Sequence, residues 1–477
     1  MSLESVVSSL PARVVILFDP GFPSSGAWTE AEAVQLGEFG SVVAAGELAQ
    51  ALDALGEGGV FVNLHAPFFP KDAWPSILGF ARRGGGLVSV GGAPFKRPVR
   101  LQEGRWIAEP EQTGYHQQLH IHEALRVDGE IVATCVASEC IPLLRGDEGL
   151  VPLKEAWNLV PHVTKSSDHP DQMGSGGPMD TRIYPLLKGI SADGRERSAP
   201  AVLWENVGGP FKGSRWLFVG QPLPAGAESV KALKRWTAFA ARGATELWLK
   251  PNYASYSAGE RAALTLQTQR LGGPLPRAER ETWRFELTVR REGAAEPQWT
   301  QRLEADVTGE LNFIRLTLPF EIGAGLYRVA CEATSPSGER RVLRQAFWGH
   351  DAALLAQGKP IQAGRDYFVQ DGVPLPVVGM TYMTSDVARK FLQLPNADVW
   401  DRDMAQMKKA GINWIRTGIW TAYRHIMLAD GHASEEALRA IDAFLLTAAR
   451  HELHVTFTFF SFTPETWEGT NPYLDPR

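Results

Sequence analysis

Pro376–Tyr382 (PVVGMTY), Asp398–Ala410 (DVWDRDMAQMKKA), Ile412–Trp420 (INWIRTGIW), Ser434–Arg450 (SEEALRAIDAFLLTAAR) and His454–Phe462 (HVTFTFFSF) follow one another towards the end of the chain. The first, third and fifth are short apolar runs of strand type. The second and fourth repeat apolar residues at helical spacing. The rhythm is that of the first three βα units of a (β/α)8 TIM barrel, whose eight units at this spacing need about 300 residues. The sequence stops at Arg477. Most of a barrel active site is therefore expected beyond Arg477, and a half-barrel with open edges on its first and third strands is expected to be unstable alone.

The first helix has Asp398 as its expected N-cap, Trp400, Met404 and Met407 as its apolar stripe and Gly411 as its stop. The second starts at Ser434, with Glu435 and Glu436 complementing the dipole and Leu438, Ile441, Leu445 and Ala448 as its expected buried stripe.

Working outward, residues 1–246 read as an α/β domain. Strands are expected at Arg13–Phe18, Ser41–Ala44, Gly59–Leu64, Leu87–Val90, Ile131–Val136, Ala201–Glu205 and Arg215–Gly220, with helices at Trp74–Ala81 and Ser229–Ala241. Such alternation implies a mostly parallel sheet covered on both faces. Lys165–Met179 is polar and rich in Gly and Pro, a surface loop. Residues 247–350 change character: seven short alternating segments, from Glu246–Leu249 to Arg340–Phe347, predict an immunoglobulin-like β-sandwich without a disulfide. Residues 351–375 are a linker and a hairpin around Asp371-Gly372, and 376–477 the partial barrel.

The chain has 477 residues, a formal net charge of −6, three cysteines, 15 Trp and 22 Phe. The charge balance and the absence of a basic stripe exclude nucleic acid as an expected partner. No 18-residue apolar run predicts a membrane span. The start MSLESVVSSLPAR lacks a basic region followed by a long apolar one, so a cytoplasmic location is expected. Sparse cysteines in odd number fit a reducing compartment. No cofactor and no metal are expected.

Barrel enzymes work at the carboxyl ends of their strands. Arg416 sits inside an apolar strand, where a guanidinium needs a partner. It either orients a catalytic carboxylate or makes a structural ion pair. Tyr382 and Trp420 flank the same opening, as sugar-stacking rings or as rim packing. Phe459, Phe460 and Phe462 read as barrel packing, and Glu465, Glu468 and Asp475 as loop residues. His116, His120 and His122 form a metal cluster only if the first two share a helix face; a polar structural set is the simpler reading. Gly91-Gly92 lacks the spacing of a phosphate loop. Cys135 and Cys140 lack the flanking glycines of a nucleophile elbow and read as structural.

Two resemblances complete the reading. YFVQDGVPLPVVGMTY (367–382), KKAGINWIRTGIW (408–420) and NPYLDP (471–476) together resemble clan-A retaining glycoside hydrolases of cellulase, mannanase and β-galactosidase type. That resemblance implies double displacement by two Glu residues at the ends of strands four and seven, both expected downstream. It implies that Arg416 contacts the nucleophile, and it makes an oligo- or polysaccharide the expected partner. Ser461-Phe462 departs from the His that many members carry at the end of strand three. RRGGGLVSVGGAPF (82–95) resembles the flavodoxin-like class I glutamine amidotransferase fold, lacking its nucleophilic Cys at Ser89–Ala93. The α/β domain is then an oligomerisation or substrate-edge module. The expected function is the N-terminal portion of a retaining β-glycosidase, inactive as this chain alone; the alternative is a non-catalytic carbohydrate-binding or oligomerisation scaffold.

Overall fold

The computed structural model describes residues 13–56, 58–151, 155–161, 180–272, 280–387, 390–419, 426–429 and 431–459. Several sheets are linked in series. The first is eight-stranded, built from β1 (Val14–Leu17), β2 (Ser41–Val43), β3 (Val60–Asn63), β4 (Gly86–Val90), β5 (Thr134–Ala137), β6 (Thr181–Ile190), β7 (Glu196–Asn206) and β8 (Arg215–Val219). Its order is β2-β1-β3-β4-β8-β7-β6-β5. Successive residues of β1 enter opposite cores. Val14 and Ile16 join Leu233 and Trp236 of α4 (Ala227–Ala240), after Leu36 of α1 (Glu30–Leu36). Val15 and Leu17 join Leu48 and Leu52 of α2 (Leu48–Ala54) and Ile77 of α3 (Trp74–Arg82). Both faces are thus covered, which is why these strands are apolar throughout.

The sheet is mixed rather than mostly parallel. Pairs from β2 to β8 are parallel, while β8-β7, β7-β6 and β6-β5 are antiparallel. The reason is local. β6 turns into β7 through Asp193-Gly194, with Gly194 at φ 77 and the Ser191 amide bonded to the Arg195 carbonyl, a tight hairpin that leaves no room for a crossover helix. The strand expected at Ile131–Val136 starts later, after a 3-10 turn over Gly129–Ile131.

Two sheets face each other next. One is β9-β11-β14, from β9 (Thr245–Pro251), β11 (Ala263–Arg270) and β14 (Asn312–Thr317). The other is β10-β16-β15-β12-β13, from β10 (Ser255–Tyr256), β12 (Glu281–Arg291), β13 (Trp299–Val307), β15 (Gly325–Thr334) and β16 (Arg340–Gly349). Leu247, Leu249, Leu264 and Leu266 of the first meet Trp283, Phe285, Leu287, Val329 and Phe347 of the second in one core. A small antiparallel sheet follows, β17 (Gln362–Ala363), β18 (Phe368–Gln370) and β19 (Val373–Leu375). Asp371 and Gly372 at φ 53 and 75 form its turn, the backbone pair that a two-residue hairpin requires.

The last unit is β20 (Gly379–Thr381), α5 (Ala397–Lys409), β21 (Trp414–Gly418), α6 (Glu435–Arg450) and β22 (His454–Thr458). Its strands are parallel in the order β20-β21-β22. Two expectations are corrected here. The cap of α5 is Asn396, whose side chain accepts from the amides of Asp398 and Val399; the Asp398 carboxylate is instead engaged by Arg328 at 2.9 Å. The buried face of α6 holds Ala437, Ala440, Phe444 and Thr447, whereas Leu438 is exposed and Ile441 and Leu445 half-buried. The helix packs against both α5 and the sandwich, so its buried arc is turned from the one the leucines suggest.

Candidate active site

Side chains alternate along β21. Ile415 and Thr417 are both 0% exposed, and Ile415 packs among residues of α5 and α6. Trp414 and Arg416 therefore occupy the opposite, open face. Register places Gly379, Trp414 and His454 in one row across the three strands, and Thr381, Arg416 and Thr456 in the next. The Trp414 indole donates to the Thr456 hydroxyl at 2.8 Å. Phe368 of the hairpin stacks on Trp414, centroids 5.5 Å apart, and His454 sits 5.1 Å from the same ring. The amino-terminal end of the open face is thus aromatic and covered, and the next row is polar. At Gly418 a side chain would meet the Thr458 carbonyl at 2.1 Å, so only glycine lets the two strands approach there.

Arg416 is exposed. The desolvation argument for a partner fails, because the apolar character of the strand belongs to its other face. Register sets Arg416 between Thr381 and Thr456 on an open face, where its cation can contact a carboxylate or a polar ligand. Thr381 is read in the sequence only as a strand end, and Thr456 is not singled out there. Period-two alternation counted from Ile415 is the signal that finds them.

Tyr382 does not flank an opening. It is 3% exposed, its hydroxyl donates to Asp403 of α5 at 2.8 Å, and its ring lies against Phe444. Burial, and then Asp403, push the phenol well above its ordinary range. The same Asp403 accepts from the Ser385 amide and hydroxyl. Strand alternation again decides it, since Tyr382 falls on the helix side. Trp420, Phe460, Phe462, Glu465, Glu468, Asp475 and the NPYLDP stretch lie outside the described residues, as does the Lys165–Met179 loop. Phe459 is described and is half exposed.

The carboxyl edge of the eight-stranded sheet is the other place to look, since strand order reverses between β1 and β3 and ligands favour such switch points. It is filled by the protein itself. His65 receives the Asp19 amide on Nε2 at 3.2 Å and places Nδ1 3.1 Å from the Pro23 carbonyl. Burial lowers its pKa, opposed by the Pro23 bond and Asp19, and both ring nitrogens are in use. At the position of a nucleophile elbow stands Gly91 (φ 126), where a side chain would meet the Ala66 carbonyl at 2.3 Å and the Ser25 hydroxyl at 2.4 Å. No larger residue fits.

The three histidines do not converge. His116 is buried against the Pro94 carbonyl, its pKa lowered by burial to about 4. His120 follows a short helix, Gly114–Gln118, with φ 60 and packs on Phe211. The His122 side chain is outside the description. Among the described residues no group of His, Cys, Asp and Glu is arranged to hold a metal. Burial and then Glu148 push the Cys135 thiol up to about 11, the opposite of an activated nucleophile. Among the described residues no helix is long and apolar enough to cross a membrane.

No protein-family model and no curated protein matches the chain. Solved structures overlap parts of it. A β-D-mannosidase from Dictyoglomus thermophilum shares 15% identity over 45% of this chain and 24% of its own, TM-score 0.21. A cold-adapted β-galactosidase from Rahnella sp. R3 shares 12% over 65% and 41%, TM-score 0.29. The CARDB domain of a Pyrococcus furiosus protein, not described as a hydrolase, shares 9% over 22% and 86%, TM-score 0.17. The chain spans about a quarter and two fifths of the two glycosidases. Likenesses of this size carry no argument about activity.

Proposed function

We propose that this chain is the amino-terminal portion of a retaining glycoside hydrolase acting on a β-linked glycoside of β-galactoside, β-mannan or β-glucan type. On this reading the amidotransferase-like α/β domain and the immunoglobulin-like sandwich precede the first three units of a TIM barrel. The observation that carries it is the row Thr381–Arg416–Thr456 on the open face of three parallel strands whose helices lie on the other face. A barrel is the arrangement that turns such a face inward and places the ligand site at the carboxyl ends of its strands. Retaining hydrolysis needs two carboxyl groups about 5 Å apart; both are assigned to polypeptide beyond Arg477. Arg416 would hold the nucleophilic carboxylate ionised and oriented by a charge-assisted contact, and would stabilise it again as it departs in the second displacement. The substrate is an oligo- or polysaccharide, and the α/β domain is an oligomerisation or substrate-edge module.

The test is a nitrophenyl β-glycoside panel run on this chain and on the complete gene product. The reading expects hydrolysis by the complete product, cut at least a hundredfold by Arg416→Ala, and none by this chain. Hydrolysis indifferent to Arg416→Ala, or no hydrolysis of any glycoside, overturns it. The second reading, a carbohydrate-binding or oligomerisation scaffold, draws on the filled elbow at Gly91. Saccharide binding without turnover by the complete product decides for it.

A further inference from the structure

The outer face of the five-stranded sheet is unlike the exposed face of a free sandwich. Tyr327, Val329 and Phe347 point into the sandwich core. Their neighbours Leu326, Ala346 and Trp348 point outward, where polar residues belong, and are at most 2% exposed. They are buried because they share a core with Trp400 and Met404 of α5 and Ala440, Phe444 and Ala448 of α6. The Trp348 indole donates to the Thr447 hydroxyl at 2.9 Å, and that hydroxyl donates to the Ala443 carbonyl at 2.7 Å. Alternation along β15 puts Arg328 on the same outer face. It contacts Asp398 at 2.9 Å and Asp401 at 2.5 Å, while Arg450 and His451 reach Asp401 at 3.0 and 2.8 Å. Glu292, from the sandwich, pairs with both Arg328 and Arg450. Asn396, the cap of α5, gives its side-chain amide to the Arg344 carbonyl at 3.1 Å. Arg439 of α6 reaches Glu260 at 2.8 Å. Both helices, including a cap and a C-terminal end, are thus held from the sandwich.

We propose that this outer face is the folding platform of the βα unit: docking on Leu326, Arg328, Ala346 and Trp348, rather than closure of a barrel, keeps the three strands and two helices in their native arrangement. Two parallel crossovers order slowly and leave edges exposed. A preformed antiparallel sandwich offering apolar contacts and a fixed cation gives them a surface to order on. The inference does not depend on the glycosidase reading.

Hydrogen exchange on this chain tests it. Native protection is expected over Ala397–Lys409, Trp414–Gly418 and Glu435–Arg450. Arg328→Ala combined with Trp348→Ala removes outward-facing side chains only, and is expected to speed exchange there at least tenfold while Glu281–Arg291 and Gly86–Val90 keep their protection. Thr447→Val, which alters no sandwich residue, is expected to give a smaller acceleration confined to the βα unit. An unprotected βα unit in the unmodified chain overturns the proposal. So does protection unchanged in both variants, or loss of protection in the sandwich alongside the βα unit in Thr447→Val.

Discussion

Tyr382 and Asp403 are joined by a hydroxyl–carboxylate hydrogen bond of 2.8 Å beneath the first helix of the βα unit. The bond ties the end of β20 to α5 and gives the ring a packing role. Tyr382→Phe is expected to cost about 1–2 kcal/mol of stability by removing a hydrogen bond to a charged group, with saccharide affinity unchanged. Denaturant unfolding checks the first part and calorimetric titration the second. A loss of affinity at constant stability would place the ring at a ligand after all.

Arg416→Ala should separate stability from function. The side chain is exposed on the open face, where a polar contact contributes at most about 1 kcal/mol, so unfolding of the chain should shift by no more than that. A much larger destabilisation would give Arg416 a mainly structural role.

The α/β domain and the sandwich meet at a buried charge cluster. Arg215 reaches Glu205 at 2.8 Å and Glu339 at 3.2 Å, Arg341 reaches both at 2.7 Å, and all four are at most 8% exposed. Burial disfavours the Glu339 charge, but Arg215, Arg341 and Arg242 outweigh it and hold the group down at about 2. Removing one charge strands its partners, so Glu339→Gln is expected to cost about 3–5 kcal/mol. Thermal or denaturant unfolding of the chain reads this directly; a change below about 1 kcal/mol would mean that the cluster is neutral in net effect.

Acid should weaken the fold in two stages. His116 is held by burial at about 4 against an ordinary 6.5. The unfolded chain therefore binds a proton that the folded one refuses, and stability falls as pH drops from about 6.5 to 4, by roughly 3 kcal/mol. Glu339 and Asp401 work through the opposite charge. For Asp401, burial is overcome by His451 and Arg328, which hold it at about 2. Their stabilisation is complete above the ordinary carboxylate range and is lost as pH falls through about 2. His116→Gln should flatten the first stage and leave the second. A unfolding profile that is level from pH 6.5 to 4 in the unmodified chain would contradict the assignment.

Cys135 should be a poor nucleophile. With its thiol up at about 11, alkylation by iodoacetamide at pH 8 is expected to run about a hundredfold slower than in the denatured chain. Rapid, selective labelling would favour an amidotransferase-type thiol role for the first domain.

The sequence disclosed elements more readily than facings. The strands of the βα unit, the seven main segments of the sandwich and the turn at Asp371-Gly372 follow from apolar period and turn chemistry. What it hid is which side of each element meets what. Arg416 looked buried because Ile415 and Ile419 flank it, though they point the other way. Tyr382 looked available because it ends a strand, though alternation sends it under α5. Leu438 and Leu445 looked like the core of α6, but docking on Trp348 turns the helix so that Ala440 and Thr447 are covered. Partners far away in sequence set these orientations, and period alone does not contain them. The antiparallel half of the large sheet was within reach, since Asp193-Gly194 is a hairpin signal.

Phe368 laid on Trp414 has one more implication. Two flat rings and an imidazole cover the amino-terminal row of the strands and leave the row of Thr381, Arg416 and Thr456 bare. The hairpin therefore works as a lagging over one end of the strands, and lengthening the Asp371-Gly372 turn would disturb that end alone.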